Sequence, residues 1–128
     1  MIHRSDLLFF AQATGQQDPV YTDVEAARKA GHRDLPVPPT YLFCQEMKEA
    51  ADSFGYLEDL GVDLGNVLHG EQSFVYHALA YAGDELSFSS ELAADYTKKA
   101  LRFLVRTTEV TRDGTPIANL STTTVVTP

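Results

Sequence analysis

LPVPPTYLFCQEMKEAADSFG, residues 35–55, decides how the rest of this chain is read. Pro38 and Pro39 fix φ, and Pro39 suits the first position of a helix, where a missing N–H costs nothing. From Thr40 the pattern turns helical. Phe43, Met47, Ala50, Ala51 and Phe54 recur at spacings that make one apolar stripe, with Gln45, Lys48 and Asp52 opposite. Gly55 then suits the left-handed residue that closes a helix. Beyond about residue 66 the chain reads as strands. One apolar-faced helix followed by antiparallel strands predicts an α+β domain, with a sheet wrapped around one long central helix.

Four segments carry the strand pattern. VLHGEQSFVYH (67–77) sets Phe74 and Tyr76 on one face and Val75 on the other. In LSFSSELAADY (86–96), Leu86, Phe88, Leu92, Ala94 and Tyr96 are expected to share a face, with Ser90 its polar member. LRFLVRTTEVTR (101–112) places Leu101, Phe103 and Val105 on one side and Leu104 and Val110 on the other. Asp113-Gly114 is a strong hairpin signal, and IANLSTTTVVT (117–127) returns as the last strand. Apolar residues on both faces of 101–110, with sheet edges that need cover, predict a dimer.

Upstream, Ile2 is a candidate for a brief edge strand. Ser5 is the expected N-cap of a helix through Ala13, with Leu7, Leu8 and Ala11 on its apolar side. GQQDPVY (15–21) is a loop, Thr22 is the expected cap of a short helix from Val24 to Ala30, and Tyr56–Leu60 reads as a further helical turn.

A chain of 128 residues predicts a single domain spanning 1–128. The net charge of −8 argues against a nucleic-acid binder, which needs a basic face for phosphates. Cys44 is the only cysteine, which excludes an internal disulfide and a thiolate metal cluster. No membrane span and no signal pattern is read, so a cytoplasmic protein, with no membrane partner, is the expectation.

Several separate segments carry a resemblance: FAQATGQQDPVYTD (10–23), VPPTY (37–41), LHGEQSFVYH (68–77), AGDELSFSSELAADYTKK (82–99) and TEVTRDG (108–114). Together the chain resembles the MaoC-like hot-dog family of dehydratases and hydratases. It is most similar to the N-terminal, non-catalytic type, which includes the accessory subunit of heterodimeric (3R)-hydroxyacyl-carrier-protein dehydratases. The resemblance implies a hot-dog fold and an acyl-coenzyme A or acyl-carrier-protein thioester as ligand. It implies no cofactor beyond the coenzyme A or phosphopantetheine that the substrate carries, and no metal.

The family's chemistry is hydration of a 2-enoyl thioester or the reverse. An Asp and a His hold and activate water, and a backbone N–H polarises the thioester carbonyl. Active members carry G-D-x-N-P-x-H on the loop after the first helix; here the segment is Gly15-Gln16-Gln17-Asp18-Pro19-Val20-Tyr21. Gln16 stands at the Asp position and Tyr21 at the His position. Pro39 falls near the N–H donor and has no N–H. Gln16 is no base, and a tyrosine of reference pKa about 10 is a poor one. The reading is a scaffold kept without its chemistry, paired as a heterodimer with a catalytic hot-dog subunit or, failing that, as a homodimer. The alternatives are a self-sufficient hydratase with atypical residues and a thioesterase using a helix carboxylate.

Substrate-binding candidates are Pro38, Pro39, Thr40, Tyr41 and Leu42 at the helix start, with His69 and Gly70 in the HGE segment. His69 is also a weak catalytic candidate, although a β-bulge at Gly70 is the preferred reading. Glu46 and Glu49 are the thioesterase candidates, with a solvated helix rim preferred. Cys44 reads as a small core residue. Lys98, Lys99 and Arg102, and separately Arg28, Lys29, His32 and Arg33, are phosphate-contact candidates.

Overall fold

The computed structural model describes residues 1–49 and 54–128. Ala50 and Ala51 of the expected apolar stripe, and Asp52 opposite, lie outside the described residues. Helix α1 spans Arg4–Ala13 and α2 spans Val24–Lys29. Helix α3 spans Tyr41–Glu49 and α4 spans Gly55–Asp59. The strands are β1 (Val67–Tyr76), β2 (Ser87–Lys98), β3 (Leu101–Arg112) and β4 (Thr115–Val126). They form one antiparallel sheet in the order β1-β4-β3-β2. The expected helix-then-sheet order is the observed one. No helix among the described residues is long and apolar enough to cross a membrane.

Local signals misplaced several boundaries. The N-cap of α1 is His3, with no side-chain cap, rather than Ser5. Leu8 of that helix is exposed, while Leu7 and Ala11 are buried. Asp23 caps α2 by accepting from the Glu25 N–H, so the carboxylate wins over the Thr22 hydroxyl. Helix α3 begins at Tyr41, two residues after Pro39, and Gly55 opens α4 instead of closing the helix before it. Ile2 is not in a named strand. It is nonetheless fully buried and exchanges backbone hydrogen bonds with the turn at Gly83 and Asp84.

Two hairpins join β2 to β3 and β3 to β4. Asp113 (φ 50°) and Gly114 (φ 79°) form the expected two-residue turn. The other turn puts Lys99 and Ala100 at φ 52° and 66°, a left-handed pair that no glycine or asparagine announces. From β1 to β2 the chain crosses the sheet. It is tied down on the way by Val37 N–H to Ala80 O and Ala82 N–H to Leu35 O. Buried Asp84 locks this crossing: it accepts from Arg33, from Arg112 at 2.6 Å and from the Tyr81 N–H at 2.9 Å.

Strand β2 departs from the expected single apolar face. Leu92 pairs with Arg106 and Ala94 with Val105, so Ala93 is an extra residue and the alternation inverts there. Phe88, Ser90 and Leu92 share the helix-side face with Arg106, Thr108 and Val110. Ala94 and Tyr96 turn to the outer face, where Tyr96 stacks on Phe103 at 5.1 Å. Through the registers Leu68–Val125–Phe103–Tyr96, an apolar row crosses all four strands on that outer face.

The core lies between helices and sheet in two clusters. The larger gathers Ile2, Leu7, Leu42, Val110, Ile117 and Leu120. The smaller holds Leu57, Val62 and Leu104. Leu104 and Val110 are on the same face of β3. The positions between them on that face are Arg106 and Thr108, so a polar band separates the two clusters.

Candidate functional site

Two concave regions concern function. The first, of about 340 Å³, is where the family motif falls: Gly15 and Gln16 meet Pro38, Pro39 and Thr40 across it, with Phe10 and Thr14 completing the wall. Gln16 is exposed at the end of α1, and its Oε1 accepts from the Asp18 N–H at 3.1 Å. Asp18 in turn accepts from the Val20 N–H at 3.1 Å, starting the 3₁₀ turn Pro19–Tyr21. Asp18 is thus occupied in holding the loop. Tyr21 is half-buried at the end of that turn and is not part of this pocket's wall. On the opposite side the Pro39 carbonyl accepts from the Tyr76 hydroxyl. Burial pushes Tyr76 up to about 12, so it stays a donor. The structure therefore brings Gln16 and Pro39 to one cavity. Neither can serve as a general base, and Pro39 cannot donate a backbone N–H.

Tyr41 and Leu42, one step along α3, turn away from this opening into the core. They are 2% and 0% exposed, and the Tyr41 hydroxyl donates to Gln45 Oε1 at 2.8 Å. Burial, with Asp6, Cys44 and Glu49 nearby, pushes Tyr41 up to about 12.

The second region, of about 230 Å³, lies between α3, α4 and the sheet. Phe43, Met47 and Phe54 form its apolar side, so this stripe lines a cavity, and the packed face of α3 is instead Leu42, Gln45 and Glu46. Gln45, expected opposite the stripe, is buried. His69 also lines the cavity, stacked on Phe43 at 5.1 Å. Gly70 beside it is the extra residue of a β-bulge between His69 and Glu71. A Cβ there would meet Val125 Cγ2 at 2.8 Å, so the glycine serves a close approach of β1 to β4.

Glu46 is not on a solvated rim. Its side chain is 5% exposed and paired with Arg106, whose guanidinium lies 5.1 Å from the centre of the Tyr56 ring. The rim expectation fails because a partner 60 residues away makes burial possible. Glu49 is more exposed and accepts from Gln45 Nε2 at 2.9 Å. Around the pair, Tyr56 and Thr124 hydroxyls lie 3.4 Å apart, and Thr122 donates to Gln72 Oε1 at 2.6 Å. Sequence reading missed Arg106, Thr122, Thr124 and Gln72 as a group. The available signal was Arg106 and Thr108 on the same strand face as Leu104 and Val110.

The basic candidates are largely committed. Arg102 grips Asp95 through Nε and Nη2 at 2.9 and 2.7 Å and donates to Leu60 O, while Lys98 and Lys99 sit exposed at the β2–β3 turn. Arg33 holds Asp84, Arg28 pairs with Glu25, and His32 Nδ1 lies 3.1 Å from the Tyr81 hydroxyl. Cys44 is half-buried against the main core, and burial pushes its thiol up. No group of three or more His, Cys, Asp or Glu side chains among the described residues is placed to hold a metal.

Residues 1–120 match the family described as "FAS1-like, dehydratase domain region". A UPF0336 protein of Streptomyces coelicolor is 40% identical over 95 residues, covering 73% of this chain and 61% of its own. A UPF0336 protein of Saccharopolyspora erythraea is 32% identical over 97% of this chain and 80% of its own. The chain thus spans about 61% of the length of the first of these relatives. Among solved structures, a MaoC-like dehydratase superimposes with TM-score 0.85 at 25% identity, covering 99% of this chain and 38% of that one. The HadBC (3R-hydroxyacyl-ACP dehydratase) complex of Mycobacterium tuberculosis gives 0.83 at 23% identity, covering 98% and 88%. The ChsH1-ChsH2 complex of the same organism gives 0.78 at 20%, covering 98% and 82%. By family match and by fold, the chain belongs to the FAS1-like dehydratase-region family of MaoC-like hot-dog proteins.

Proposed function

We propose that this chain is an acyl-thioester-binding hot-dog protein that acts as the accessory, catalytically degenerate subunit of an enoyl-thioester hydratase or 3-hydroxyacyl-thioester dehydratase. One observation carries the reading: Gln16 and Pro39 face one cavity at the positions where the family places its acid–base carboxylate and its carbonyl-polarising N–H. Both replacements remove the function of the group they replace. Tyr21, in the place of the His, is a third. A catalytic hot-dog partner then supplies the Asp and the His, as one subunit of a pair, and this chain contributes shape and binding surface.

The solved neighbours HadBC and ChsH1-ChsH2 are complexes, which supports a hot-dog partner here. The exposed apolar row on the outer sheet face and the open edge of β1 add to that support, with Leu68 60% and Val75 57% exposed. The thioesterase alternative gains nothing from the geometry, because Glu46 is held by Arg106, and Glu49 by Gln45 and the N-terminal ammonium.

The test is hydration of crotonyl-coenzyme A by the isolated chain, followed by absorbance. Loss of a general base alone removes about 10²–10⁴-fold, so turnover at background is expected. Robust turnover that survives Gln16→Ala and Tyr21→Phe overturns the assignment of the degenerate site, and turnover abolished by His69→Ala moves the chemistry to the HGE segment.

A further inference from the structure

Tyr56 and Arg106 each line two concave regions. The first is the cavity of about 230 Å³ between α3, α4 and the sheet. The second, of about 340 Å³, opens on their other side between α4 and β2. Leu60 and Leu92 are its apolar walls, and Asp59, Ser90 and Glu91 complete it. Among the described residues, Tyr56 and Arg106 alone are shared by the two linings, so these side chains are the partition. Its halves are anchored unequally. Arg106 is fixed by the buried Glu46 carboxylate. The Tyr56 hydroxyl has only Thr124 Oγ1, at 3.4 Å, which is long for a hydrogen bond between hydroxyls. The Tyr56 ring lies half-buried against the small Leu57, Val62 and Leu104 cluster, 5.1 Å from the guanidinium. Leu57, the next residue, is fully buried and pins α4, so the ring can change rotamer while the helix stays.

We infer that the Tyr56 ring is a gate between the two concavities, and that an acyl chain too long for the first passes it into the second and leaves at the β2 edge. A chain that displaces the ring lies along the Arg106 side chain, whose methylene stem is apolar although its head is charged. Beyond the gate it covers Leu60 and Leu92, and Leu92 is 41% exposed without it. Each methylene fully buried there strengthens binding about fourfold, against the loss of the weak Tyr56 contacts. The gate rests on the acyl-thioester reading above and deepens it: one aromatic side chain sets the length at which a chain must cross from an enclosed compartment into an open one.

The experiment is calorimetric titration of the purified full-length chain with a ladder of saturated, straight-chain acyl-coenzyme A thioesters, each below its micelle-forming concentration. Leu92→Trp fills the second concavity from its β2 wall, and Leu92 is no part of the first. It should weaken the longer rungs about tenfold or more, the worth of two methylenes, and spare the shorter ones. Tyr56→Ala removes the gate and should strengthen the longer rungs relative to the shorter. Tyr56→Phe keeps the ring and should keep the parent's length profile, which separates a gate from a role of the hydroxyl. An effect of Leu92→Trp that is equal at every rung, or absent from all, overturns the passage and leaves the acyl reading standing. A parent-like profile in Tyr56→Ala overturns Tyr56 as the gate. Absence of binding at every rung overturns the acyl reading and the inference together. Leu92→Trp, on an edge strand, decides by itself if Tyr56→Ala does not fold.

Discussion

Replacing Arg106 by Met tests the polar band through stability. The substitution keeps an unbranched stem against Tyr56 but removes the charge that faces Glu46. Glu46 is 95% buried at its side chain, with Arg106 at 16% exposure, so little solvent can substitute for the lost partner. Breaking a buried pair from one side typically costs about 3–5 kcal/mol, because the remaining charge stays desolvated. Loss of the guanidinium–Tyr56 contact adds about 0.5–1 kcal/mol. A total of about 3.5–6 kcal/mol is a large share of the roughly 5–15 kcal/mol that holds a domain folded. The double variant Glu46→Met with Arg106→Met removes both charges and should recover most of the loss, to within about 1–2 kcal/mol of the parent. The assay is urea unfolding at fixed protein concentration, reading midpoints with unchanged slopes. A cost below about 1 kcal/mol for Arg106→Met, or a double variant as poor as the sum of the singles, refutes the description of Glu46 as a buried, Arg-dependent carboxylate.

Three other outcomes follow from particular contacts. Desolvation pulls Asp84 upward, but hydrogen bonds from Arg33, the Tyr81 N–H and Arg112 outweigh it and hold the carboxyl below its ordinary range. A depressed carboxylate stabilises the fold above its unfolded pKa of about 3.9, and that contribution is lost as pH falls through the folded value. Stability measured from pH 6 downward should therefore drop less steeply through the acid range in Asp84→Asn, from a lower starting point, and an identical acid limb would contradict this. Gly70→Ala should cost about 1–3 kcal/mol through its clash with Val125, with Val125→Ala relieving most of it; a neutral Gly70→Ala would show that the bulge has room. Light scattering at micromolar concentration should give a dimer for the chain alone, shifted toward monomer by Leu68→Lys on the β1 edge, whereas a monomer under all conditions would count against pairing.

Much of the architecture was legible because it rests on local signals. The Pro38-Pro39 turn into an amphipathic segment, the Asp113-Gly114 hairpin and the long β-branched runs after Val67 each have a short-range cause. The motif departures at Gln16, Tyr21 and Pro39 were readable residue by residue; in the fold Gln16 and Pro39 line one cavity and Tyr21 does not. What was not legible depends on partners distant in the chain. Glu46 looks like a rim carboxylate until Arg106 is folded onto it. The inversion at Ala93 carries no glycine or proline, and it becomes visible only through the register with β3. The start of α2 at Val24 was legible, but its cap was not, because Thr22 and Asp23 offer adjacent capping side chains.

The central claim is that the reacting groups come from another chain. The most direct measurement is activity of a reconstituted complex between this chain and a hot-dog chain carrying an intact G-D-x-N-P-x-H segment, on a medium-chain enoyl thioester. Substituting the Asp or the His of the partner should abolish turnover, while Gln16→Ala and Tyr21→Phe here should leave it within about twofold of the parent, since surface substitutions away from the chemistry are usually within about 0.5 kcal/mol. Turnover that survives loss of both partner groups, and falls by about a hundredfold or more when Gln16 or Tyr21 is replaced, would contradict the account.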